Sequence, residues 1–226
     1  MFRLALAVHL ACAFGATAVF WIPILADKGG PLHIKAGRFY ARLIYLTAIT
    51  GTPLAVLLYR GATDLAGVRT AYFLGYLLLI LVMPVYHGVR VVRARAGRMT
   101  VASPFHTALA LSAIAAGAAL GVAAASWREW PYVLLSPIGP ILGVRALLYA
   151  RRARTGEPLR WREEHIVAMV MSGIAVHTAL LVFGATRTLA MTMTGAGLYA
   201  LWLLPALVGL PLLVRLVLRE RAALTR

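Results

Sequence analysis

Acidic side chains are nearly missing from this chain: Asp and Glu together number seven among 226 residues. Asp27, Asp64, Glu129, Glu157, Glu163, Glu164 and Glu220 all fall between the long apolar runs or at their ends. A carboxylate at mid-membrane is a common device of proton- and cation-coupled carriers, and no apolar run carries one at its centre. An oxygen-rich di-metal cage is equally short of ligands. Cysteine is limited to Cys12, which excludes a disulfide framework and a thiolate metal site. No His-Glu-x-x-His motif occurs, and no two histidines stand four residues apart.

Apolar residues fill the chain instead, at 62% of the total and a mean hydropathy of +0.83. Seven apolar runs are legible, at residues 3–26, 36–60, 68–91, 101–126, 130–150, 164–186 and 189–218. Crossing about 30 Å of hydrocarbon takes roughly 20 residues at 1.5 Å each. The pattern predicts an all-α fold: a polytopic membrane bundle of seven transmembrane helices, forming a single domain over residues 1–226. Any chemistry then lies within the bundle or at its faces.

The basic residues set an orientation. Of 23 Lys and Arg residues, only Arg3, Arg60, Arg69, Arg128 and Arg187 lie at one set of helix ends. The rest crowd the alternate connections and the tail, and basic short loops stay on the cytoplasmic side. The N-terminus is therefore expected outside and the C-terminus inside. The formal net charge of +16 belongs to the membrane surface on this reading, so nucleic acid is not an expected partner.

Proline and glycine mark the irregular places. Pro23 is expected to break the first helix locally, and Gly51-Thr52-Pro53 to kink the second. The run Ser136-Pro137-Ile138-Gly139-Pro140 interrupts the fifth, as a proline kink or an unwound segment. Gly117 and Gly121 have the spacing that lets helix backbones approach closely, for packing or for a homo-oligomer.

Histidine is the polar residue left inside the bundle. His33, His87, His106 and His165 belong to the cytoplasmic ends of four helices, and His9 to the outer half. His177 lies 12 residues beyond His165, so about 18 Å deeper at 1.5 Å per residue. Neutral imidazole ligates haem iron and zinc, and it relays protons near neutrality. A b-type haem needs two axial imidazoles, with His87, His106 and His177 available and Arg145, Arg90 or Arg42 for the propionates. Such a protein would exchange electrons with a quinone or a partner subunit. A zinc site, at the cytoplasmic face of an intramembrane enzyme, has His33, His87, His106, His165 and His177 as candidate ligands, with Glu164 as general base. A third class, a non-enzymatic subunit or small-molecule carrier, uses the histidines only to hold helix ends.

Two stretches resemble one family. His33-x-x-x-Gly37-Arg38-x-Tyr40 is similar to the start of a helix in an uncharacterised family (a domain of unknown function) of bacterial multi-pass membrane proteins. Trp161-Arg162-Glu163-Glu164-His165-Ile166-Val167-Ala168-Met169 is similar to that family's later Arg/Glu-rich helix start, and His177 follows. The likeness spans residues 33–186. It implies the bacterial cytoplasmic membrane and singles out His33, Gly37, Arg38, His165, Met169 and His177, but it implies no activity. A looser likeness in character links the scattered histidines to di-haem cytochrome b bundles.

Overall fold

The structure is a computed structural model and describes residues 2–185 and 196–223. Its elements are helices α1 (Phe2–Leu25), α2 (Pro31–Arg60), α3 (Leu65–Arg95), α4 (Pro104–Trp127), α5 (Trp130–Leu135), α6 (Ile138–Thr155) and α7 (Trp161–Ala179), and α8 (Ala196–Ala223). A π-helical turn, Leu180–Ala185, continues α7. No strand occurs among the described residues. Among the described residues, seven spans are long and apolar enough to cross a membrane, with α5 and α6 together making one of them. The expected all-α, seven-span membrane bundle is the observed architecture. The expected start of the seventh run, near Leu189, lies outside the described residues.

Helix ends follow local chemistry more than hydropathy. Helix α2 starts at Pro31, five residues before the apolar run, because Gly30 and a first-turn proline set up a helix start. Helix α4 starts at Pro104 because the Ser103 hydroxyl accepts the His106 backbone N–H at 3.1 Å. Helix α1 runs through Pro23 without ending. Between α5 and α6, Ser136 (φ −57°, ψ −34°) and Pro137 (φ −69°, ψ −17°) both keep right-handed helical dihedrals. The break is a proline interruption of the hydrogen-bond ladder, and the backbone there does not unwind.

Two compact units divide the described residues: one from Met1–Val82 with Ala175–Pro205, the other from Met83–Ile174 with Ala206–Arg226. In the first, α1 packs along α2, with Phe20 set against Tyr40 at 5.7 Å between ring centres. Ile44 is fully buried there.

The second unit is built on small residues. Ala110, Ala113, Gly117, Leu120 and Ala124 recur at three- and four-residue steps on the buried face of α4. A Cβ added at Gly117 would stand 2.4 Å from Pro140 Cδ, and one at Gly143 would stand 2.6 Å from the Ala110 carbonyl. Gly121 faces Ser136 Oγ. The glycine pair of α4 is thus taken up inside the chain, by the Ser136–Pro140 break. Met83, Ala110, Ala113, Leu142 and Ala146 fill the core beside it.

Candidate functional site

One polar cluster lies inside this second unit, and four helices build it. His87 comes from α3, His106 from the first turn of α4, Arg145 from α6 and Glu164 from the first turn of α7. His87, His106 and Glu164 are each at most 5% exposed, whereas the Arg145 side chain is 39% exposed. Arg145 donates from Nε to Glu164 Oε1 at 3.1 Å and pairs through Nη2 with Oε2 at 2.6 Å. This is the bidentate fork that guanidinium and carboxylate geometry favour.

The pair dictates the hydrogens along the cluster. With Glu164 accepting, His87 donates from Nε2 to Oε1 at 3.0 Å. A neutral imidazole has one donor and one acceptor, which leaves His87 Nδ1 as the acceptor. His106 then donates from Nε2 to His87 Nδ1 at 3.0 Å. The remaining nitrogen, His106 Nδ1, is buried and has no hydrogen-bond partner among the described residues. Aromatic rings fix both imidazoles in place. Tyr149 meets His87 edge-on at 5.6 Å, and Tyr86 stacks on His106 at 6.3 Å. A cavity of about 10 Å³ borders His87, Arg145 and Glu164, close to the size one water needs.

The other candidates lie elsewhere. His165 hydrogen-bonds the Gly88 carbonyl through Nδ1 at 3.1 Å, and a Cβ at Gly88 would meet Met169 Cε at 2.8 Å. His165 and Met169, one helical turn apart, therefore straddle a glycine of α3. That contact gives a packing reason for their spacing. In the first unit, His33 Nδ1 reaches the Pro23 carbonyl at 3.0 Å. Also there, Trp21 donates from Nε1 to His177 Nε2 at 3.1 Å, with Phe20 against the same ring. His9 Nδ1 lies 3.0 Å from the Thr47 carbonyl. Arg90, a candidate propionate partner, instead ties the chain after α3 to that helix, donating to the Val101 and Thr100 carbonyls and to Tyr86 Oη.

Among the described residues, no three His, Cys, Asp or Glu side chains are grouped to hold a metal ion. His87 has both ring nitrogens engaged, so among the ring nitrogens of the cluster only His106 Nδ1 offers a free lone pair. Sequence reasoning picked out His87, His106 and Arg145 but gave Glu164 only a general base's role. A signal for its burial was present: Glu164 shares one helix face with Ala168, Ser172 and Ala175, all buried.

Comparison with protein-family models, curated proteins and solved structures finds no match to this chain.

Proposed function

We propose that this multi-pass membrane protein takes up a proton at the buried His106–His87–Glu164 chain, as part of a proton-coupled carrier or redox subunit. The unpartnered His106 Nδ1 carries this reading. A proton bound there makes His106 an imidazolium, whose Nε2 proton passes to His87 Nδ1. His87 then has N–H on both nitrogens and faces the Glu164 carboxylate, which Arg145 holds in place. Each proton moves along an existing hydrogen bond, and the positive charge ends beside a negative one. The charged and titratable neighbours are Arg145 and Tyr149 from α6, Glu164 from α7, and Tyr86 and Arg90 from α3. The orientation implied by the basic loops puts this cluster near the cytoplasmic face.

Proton uptake by the detergent-purified protein tests the reading. Titrated from about pH 8 down to about pH 3, well past the ordinary imidazole range, the wild type should bind one proton more than the His106→Phe variant. Equal uptake by both would remove the proposal.

A second reading uses the same nitrogen. Glu164 orienting His87, and His87 orienting His106, resembles the outer hydrogen bonds that aim a ligating imidazole. A haem b or zinc role would therefore be built on His106 Nδ1, with further ligands from beyond this cluster. A reduced-minus-oxidised visible spectrum and a metal analysis test it. A colourless, metal-free protein that binds neither added haem nor added zinc would end it.

A further inference from the structure

The arginines of the second unit fall into two groups. One group is engaged within the fold: Arg145 with Glu164, Arg152 with Glu157, Arg160 and Arg221 with Glu163, and Arg162 with Glu220. The other group has no side-chain ion pair or hydrogen bond among the described residues, and besides the scattered Arg128, Arg215 and Arg219 it holds five arginines at two helix ends. Arg93 and Arg95 at the end of α3, Arg98 just beyond it, and Arg151 and Arg154 at the end of α6 belong to it, and all five are exposed.

These five residues are chain neighbours of a shared apolar cluster. Val91, Val101 and Ala150 form its buried centre, with Ala94, Ala153 and Tyr149 packed on it. Arg93, Arg95, Arg151 and Arg154 therefore interleave, along the same two helices, with residues of that cluster, and Arg98 lies just beyond α3. Below them, outward-facing apolar side chains continue on those helices: Val92 on α3, and Val144 and Leu148 on α6. Unpaired guanidinium groups over an apolar stripe match a molecule with an anionic head and a hydrocarbon tail.

We infer that this arginine collar is a binding site for anionic phospholipid, with the phosphate held by Arg93, Arg95, Arg98, Arg151 and Arg154 and the acyl chains along the apolar stripe. Guanidinium groups suit phosphate oxygens through paired N–H donors. A soluble anion or a nucleic acid would use the charge but leave the apolar stripe unmatched. The inference is independent of the proton-uptake reading, because none of the five arginines touches His87, His106 or Glu164.

The experiment is native mass spectrometry with a thermal-shift titration, on the full chain in detergent. The probes are phosphatidylglycerol, phosphatidylcholine and inorganic phosphate. The wild type should retain and be stabilised by phosphatidylglycerol, and lose that stabilisation in roughly 1 M salt, where the Debye length is about 3 Å. Replacing all five arginines by Gln should weaken the phosphatidylglycerol effect by about tenfold or more. The Arg3→Gln/Arg60→Gln protein, altered at the opposite helix ends, should behave as wild type. Equal responses to the two phospholipids, or an undiminished response in the five-fold variant, would overturn the inference. So would inorganic phosphate matching phosphatidylglycerol, which would make this a soluble-anion site. If the five-fold variant does not fold, the wild-type lipid preference and salt dependence decide the question alone.

Discussion

Arg145 and Glu164 form the one ion pair of the His87–His106 cluster, and burial divides its two members unequally. Glu164 is 5% exposed, while the Arg145 side chain is 39% exposed. Deleting either charge strands the other, but the guanidinium can turn toward water and the carboxylate cannot. Breaking a buried pair costs about 3–5 kcal/mol when the surviving charge stays buried, and much less when it reaches solvent. Arg145→Gln should therefore destabilise the protein by about 3 kcal/mol, and Glu164→Gln by about 1 kcal/mol. The double variant should cost less than the two single ones added together. Thermal or denaturant unfolding in detergent measures all three, and a larger loss from Glu164→Gln would contradict the assignment.

Much of the architecture was legible in the sequence because a membrane fold is written in hydropathy. Each apolar run became helical within a few residues at its described ends, the fifth as two helices broken at Ser136-Pro137. The displaced ends are those where capping chemistry overrides hydropathy, as at Pro31 and at Ser103-Pro104. The candidate site was legible in part. Scarcity of polar residues drew attention to His87, His106 and Arg145, whereas Glu164 was discounted for lying at the end of a run. Helix ends are not always wet: the register with Ala168 and Ser172 turns Glu164 inward. The destinations of His33, His165 and His177 were not legible. His165 and His177 are fixed by partners 77 and 156 residues away and His33 by a carbonyl across the α1–α2 turn, and hydrophobic pattern carries no information about such pairs.

The glycines offer a sharp test of the α4–α6 packing. Adding a methyl at Gly117 or Gly143 places it within 2.6 Å of a proline ring or a backbone carbonyl, neither of which can turn aside. Gly117→Ala and Gly143→Ala should each cost about 1–3 kcal/mol. Gly37 lies in α2 with nothing within 4 Å of its added Cβ, so Gly37→Ala should gain up to about 1 kcal/mol from helix propensity. Unfolding midpoints check the signs. A Gly117→Ala protein of unchanged stability and altered oligomeric state would instead favour a dimerisation role for that glycine.

The Trp21–His177 hydrogen bond gives a separate handle on the first unit. Trp21→Phe keeps an aromatic ring beside Phe20 but removes the indole donor, and should cost about 1 kcal/mol. Its proton uptake should equal that of the wild type, since neither residue belongs to the His87–Glu164 chain. A changed uptake in Trp21→Phe would tie His177 into the proton pathway and require a longer relay than the one proposed.

The relay also makes a prediction that two independent imidazoles would not. If His106 and His87 titrated separately, removing each would remove its own proton, and the double variant would lose the sum. A hydrogen-bonded chain with one vacant nitrogen takes up a single proton, shared between the two rings as a coupled pair. Loss of either ring breaks the chain: His106→Phe removes the entry nitrogen and leaves His87 Nδ1 sealed behind a phenyl ring, and His87→Phe removes the link to the Glu164 carboxylate. Each single variant should therefore lose the same proton, and His87→Phe/His106→Phe should lose no more than either. Uptake measured by pH-stat on the four proteins separates the cases. Additive losses would mean that the 3.0 Å contact between the rings packs them together without joining their protons.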